Sequence, residues 1–117
     1  MRQQADVNWI VHLCSCHAWQ LARQTGDYRP QSLEDEGFIH CSHPDQILQV
    51  ANQFYFGMPD LVLLWIDPQY LIASLRWEPV GEQIFPHIYG PLNLTAVRAV
   101  SDFIPDEDGT FRRQPGL

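Results

Sequence analysis

The chain contains no lysine: all 7 of its basic residues are arginines. Schiff-base chemistry and the P-loop both depend on the lysine amine, so neither is available. Long apolar runs are missing as well, the longest being Leu61 to Ile66, far short of a membrane span. Positive charge is sparse and unclustered within the folded region, and the formal charge of -7 repels nucleic acid and anionic membrane surfaces. Cysteine is scarce too. Cys14, Cys16 and Cys41 are an odd number, and Met1 to Asn8 lacks the charged-then-apolar layout of a secretory signal. Reduced thiols and a cytoplasmic location are therefore expected.

What is present suits one globular unit. The 117 residues match the commonest domain size, and 4 Trp, 4 Tyr and 6 Phe are enough large side chains for a single core. Trp9 to Leu13 reads as a strand. Ser15 then caps a helix that runs to about Thr25, with Ala18, Leu21 and Ala22 on its buried face and Gly26 as its stop. Phe38 to Cys41 reads as a second strand, and Ser42-His43-Pro44-Asp45 opens a second helix whose core stripe is Ile47, Val50, Ala51 and Phe54. The continuous apolar run Leu61 to Ile66 has the pattern of a central strand covered on both faces. Leu75 to Glu78, His87 to Tyr89 and Val97 to Phe103 complete the strands, and the acidic stretch from Pro105 reads as a solvated, fraying tail. Helices come early and strands late, which favours an α+β fold.

The histidines carry the chemical signal. His12, His40 and His87 each sit within a strand between apolar neighbours, so the two-residue period points each ring away from those neighbours, into a core or a cleft. Imidazole titrates nearest physiological pH, and a cleft lined with it can donate, accept or bind metal. Three imidazoles plus water is a catalytic zinc set, but none of the compact ligand spacings is present. Cys41 can be read as a nucleophile with His40 or His43 as its base, but adjacent strand residues point to opposite faces, which favours a buried structural thiol. Tyr55 and Tyr89 can stack on a flat ring, Arg29 and Arg76 can contact phosphate, and the helix start at Ser42-His43-Pro44 offers amide donors to an anion. If the three strand histidines serve one site, they converge on one concavity, with Tyr55 or Tyr89 on its rim and His17 and His43 outside it.

Two motifs, Gly37-Phe38-Ile39-His40-Cys41-Ser42 and Phe85-Pro86-His87-Ile88-Tyr89-Gly90-Pro91-Leu92, identify a family resemblance. Trp19, Gly26-Asp27-Tyr28, Ser32-Leu33, Glu36, Val50 to Tyr55, Leu61 to Leu64 and Trp77-Glu78-Pro79 support it. The chain resembles domain-of-unknown-function family 952 over residues 9–111, leaving 1–8 and 112–117 as flexible ends. That resemblance implies a fold similar to the ADP-ribosyltransferase superfamily, a mixed, split β core with two main helices around a cleft for a nicotinamide dinucleotide. On that comparison His12 falls where those enzymes hold the nicotinamide ribose. His40 replaces the first serine of a Gly-Phe-x-Ser-Thr-Ser strand, and His87 stands where a late glutamate belongs.

The resulting expectation has His12, His40 and His87 as catalytic residues and Ser42, Tyr55, Tyr89 and Arg29 as ligand contacts. The ligand is a nucleotide-like or NAD-like small molecule, with chemistry related to ADP-ribosyl transfer; no metal, nucleic acid or membrane partner is expected. One alternative is a non-enzymatic ligand-binding or interaction module that has lost transferase activity. A further one is a metal-dependent hydrolase built on the same three histidines.

Overall fold

The computed structural model describes residues 7–117, so most of the expected flexible stretch 1–8 lies outside the described residues. Strand β1 (Ile10–Ser15) leads directly into helix α1 (Cys16–Thr25). Ser15 serves both: its hydroxyl accepts from the Ala18 amide at 3.0 Å, while Gly26, at φ 104, closes the helix in the left-handed conformation that suits glycine. Then follow β2 (Asp27–Tyr28), α2 (Gln31–Asp35), β3 (Ile39–His40) and α3 (Ile47–Phe54). The second half holds β4 (Leu61–Ile66), β5 (Ser74–Val80), β6 (Gln83–Tyr89), β7 (Leu92–Asn93) and β8 (Val97–Phe103).

The strands form three sheets, ordered β1-β4-β8, β2-β7 and β3-β6-β5. Strand β4 is central and buried at every position. Its alternate residues feed two cores. Val62, Leu64 and Ile66 pack with Ile10, Cys14, Tyr28, Ile39 and Ile88 on one face. Leu61, Leu63 and Trp65 pack with Val11, Leu13, Ile47 and Phe103 on the other. This is an α+β fold, split as expected, but every named strand pair is antiparallel rather than mixed.

Other expectations need correction. Ala18 and Ala22 face the core as expected, but Leu21 is 51% exposed, because α1 turns Trp19 inward in its place. The second helix begins as a 3₁₀ turn, Pro44–Gln46, capped by His43, and only then becomes α3; Phe54 at its end is 67% exposed. The stretch from Pro105 is docked rather than frayed. Phe111 is buried and stacks on Phe103 with ring centroids 5.1 Å apart. Asn52 clamps its backbone by donating to the Phe111 carbonyl at 2.8 Å and accepting from its amide at 2.7 Å. Arg112 pairs with Asp106 and Asp108, which lowers the Asp108 carboxyl to about 2, and Gln114 donates to the Pro44 carbonyl.

One contact joins the two three-stranded sheets near the site. Val11 and Ser42 exchange both backbone hydrogen bonds, at 2.8 and 2.9 Å, so β1 meets the chain just after β3.

Candidate functional site

Beside that bridge lies a cavity of about 780 Å³. Its walls come from β1, α3, the Tyr28 and Glu36 region, β3 and the β5-β6 hairpin. His12, His40, His87, Ser42 and Tyr55 all line it. Tyr89 stands behind His87 rather than on the wall, and His17 and His43 are not lining residues. Arg29 is elsewhere: it is solvent-exposed and paired with Asp27, so it is no contact of this cavity. The acid two residues away holds the guanidinium in this arrangement.

The three histidines are held differently. His12 is buried and donates from Nδ1 to the His40 carbonyl, which fixes its tautomer. Its Nε2 then accepts from the Tyr28 hydroxyl at 2.8 Å. Burial lowers the ring to about 4, against the opposing pull of the carbonyl, so His12 is neutral at physiological pH. Burial also raises the Tyr28 hydroxyl and the Cys14 and Cys41 thiols, Cys14 to about 11, so neither cysteine is a ready nucleophile.

His40 and His87 lie opposite each other across the β3-β6 pair, which puts both rings on one sheet face, 5.5 Å apart between centroids. His40 is half exposed and pairs through Nε2 with Glu36 at 2.7 Å. His87 is buried, with Nδ1 2.8 Å from Glu78. The same carboxylate oxygen accepts from the Tyr89 hydroxyl at 2.6 Å. These two bonds, Tyr89 first, hold the Glu78 carboxyl below its usual range. Phe38, its carbonyl anchored by the Ser32 hydroxyl at 2.8 Å, stacks on His87 at 4.1 Å.

Glu78, Glu36, Tyr28 and Phe38 are site residues that the histidine pattern alone missed as such. Glu78 was recoverable. Gly81, at φ 63, opens a two-residue hairpin turn, and the register it sets places Arg76 opposite His87 and Glu78 opposite Phe85. Alternation then brings Glu78 to the same face as His87.

Among the described residues no group of three His, Cys, Asp or Glu side chains is arranged to hold a metal ion. Both nitrogens of His12 are already engaged, which leaves the three-imidazole hydrolase reading without its third ligand.

Residues 13–100 match the profile of the family described as "Protein of unknown function (DUF952)". The chain belongs to this family. Among solved structures it is similar to protein CC0527 from Caulobacter crescentus. The crystal structure of that protein is 33% identical at a TM-score of 0.79, and the match covers 89% of this chain and 93% of that one. The solution NMR structure of CC0527 is 31% identical at the same TM-score, covering 90% and 92%. Among proteins with curated descriptions, none matches.

Proposed function

We propose that this DUF952 domain binds a small molecule of nucleoside-like size in the cavity beside the Val11–Ser42 bridge. The observation that carries the proposal is that three histidines from distant segments, His12, His40 and His87, line one cavity of about 780 Å³. That volume falls within the ~300 to 1,000 Å³ of small-molecule sites, and the mixture of apolar wall and few convergent polar groups is what such sites share.

The NAD-like ligand implied by the family resemblance fits in part. A ring and ribose find aromatic and imidazole neighbours in Phe38, Tyr55 and His40. The diphosphate does not fit, because no Arg or Lys is among the described lining residues, and Glu36 adds negative charge. The ADP-ribosyltransferase-like assignment therefore extends, within this proposal, only to two sheets parting around a ligand cleft. Binding without transfer is favoured by His12, whose two nitrogens are committed to Tyr28 and the His40 carbonyl. A cytoplasmic setting belongs to the same proposal, supported by the free state of Cys14, Cys16 and Cys41. No described helix is long and apolar enough to cross a membrane.

A thermal-shift series with adenosine, uridine, nicotinamide dinucleotide and inorganic phosphate tests the reading. A ligand at 100 times its Kd adds ~2.7 kcal/mol of stability, which a domain of this size displays clearly. A nucleoside is expected to raise Tm, and His40→Ala, at a half-exposed position, is expected to abolish the shift while leaving the unliganded Tm close to wild type. No shift with any of the four compounds at millimolar concentration overturns it.

A further inference from the structure

His87 presents an unusual arrangement for a buried imidazole. Its side chain is only 5% exposed, yet it faces a carboxylate on one side and lines the cavity on the other. A carboxylate can only accept, so the 2.8 Å contact with Glu78 places the proton on Nδ1. In the neutral ring Nε2 is then a lone-pair acceptor. Phe38 covers one face of the ring at 4.1 Å and an interplanar angle of 22°, which leaves a ligand the ring's edge rather than that face. Glu78 is itself fixed by the Tyr89 hydroxyl, and Tyr89 by the Arg76 guanidinium 4.4 Å over its ring. The order outward to the cavity is Arg76, Tyr89, Glu78, His87.

The charged group that lines the cavity and the one that contacts the His87 ring are both acidic. Glu36 lines the cavity beside His40, and Glu78 backs His87. The cation on this face, Arg76, lies opposite His87 in the sheet register, but its guanidinium is held 4.4 Å over the Tyr89 ring and is not part of the cavity wall that a ligand would meet. An anionic ligand would meet like charge across a largely apolar wall, whereas an uncharged N–H or O–H donor would satisfy Nε2 at no electrostatic cost.

Resting on the reading of the cavity as a ligand site, we infer that the His87 Nε2 edge, set by Glu78 and Tyr89 as positioning residues, is its recognition centre for uncharged hydrogen-bond-donating heterocycles, in preference to phosphorylated or carboxylated ones. The test uses the full ¹⁵N-labelled chain and two matched pairs of probes, adenosine against adenosine monophosphate and indole against indole-3-acetate. Long-range ¹H–¹⁵N correlation reads the tautomers of all 5 histidines. His87 is expected in the Nδ1–H form, with its Nε2 resonance moved by the uncharged member of each pair, which binds about tenfold or more tightly than its anion. Glu78→Gln is expected to erase the tautomer preference and to weaken the uncharged probes by about tenfold, and Tyr89→Phe to do less in the same direction. Unchanged His12 resonances report that each variant is folded. An Nε2–H tautomer in wild type, equal or tighter binding of the anions, or unaltered binding by Glu78→Gln overturns the inference while the ligand site stands. If no probe perturbs His40 or His87, the inference and the proposed function fall together.

Discussion

The β1-β4-β8 sheet and the β3-β6-β5 sheet are both three-stranded and antiparallel, yet they handle polar side chains in opposite ways. In the first, β4 offers six consecutive buried apolar residues, and the imidazole of His12 on β1, although it borders the cavity, has both nitrogens taken by a tyrosine and a carbonyl. In the second, one face carries His40, His87, Glu78, Tyr89 and Arg76 in mutual contact, with exposure rising from the buried His87 to the half-exposed His40. The first sheet spends its buried area on stability. The second keeps titratable groups in a partly wet cleft, where a carboxylate behind each imidazole leaves ring atoms for something else to meet. A buried histidine is thus no guide to function by itself; what decides is whether both nitrogens are satisfied inside the protein.

The largest effect that can break this contrast is a cavity in the dry sheet. Leu64 is fully buried at the centre of β4, whereas Ile84 on the β5-β6 hairpin is 55% exposed. Leu64→Ala is expected to cost about 2 to 5 kcal/mol in urea denaturation and Ile84→Ala at most about 0.5 kcal/mol. Comparable losses would mean that the hairpin is as much a part of the core as β4.

Acid provides the next test, and it separates the two kinds of histidine. Burial holds His12 down at about 4, against 6.5 in an unfolded chain. The unfolded state therefore binds a proton at a pH where the native ring refuses it, so the His12 contribution is neutral above pH 6.5 and turns destabilising as pH falls toward about 4. The gap corresponds to a loss on the order of 3 kcal/mol. His12→Gln retains an amide donor for the His40 carbonyl and an acceptor for Tyr28 without titrating. Its stability is expected to fall less steeply than wild type across that window, and parallel curves would show that His12 is not sealed.

How far the sequence reveals this division depends on range. The β4 run, the Ser15 cap with the Gly26 stop, and the histidines on strands are local patterns, and the structure carries them at nearly the positions read. Strands β2 and β7 are two residues each and exist only because Asp27 and Tyr28 find Asn93 and Leu92 across the chain, a pairing with no local period. The docking of Phe111 has the same character, a lone aromatic in a polar stretch captured by Phe103 and Asn52. Tyr28 as the partner of His12 was hidden for that reason. Glu78 is legible: a turn at Gly81 and simple alternation bring it to the face of His87, on the strand opposite the motif in which the family resemblance implies a glutamate.

Arg29 marks the edge of what sequence chemistry assigns to the cleft, and it sets the smallest effect. An arginine near a nucleotide-like site invites a phosphate contact, but its guanidinium lies 3.2 Å from the Asp27 carboxylate with 66% of its side chain exposed. Exposed pairs of this kind contribute little, because two hydrated groups lose side-chain entropy to meet in high dielectric. Arg29→Ala is accordingly expected to change unfolding free energy by less than about 0.5 kcal/mol and to leave the adenosine affinity at wild-type value. A loss of affinity confined to phosphorylated probes would instead show that Arg29 swings from Asp27 toward the ligand. The cleft would then possess the cation that its resting walls lack, and the contrast between a dry sheet and an anion-averse one would have to be redrawn around that movement.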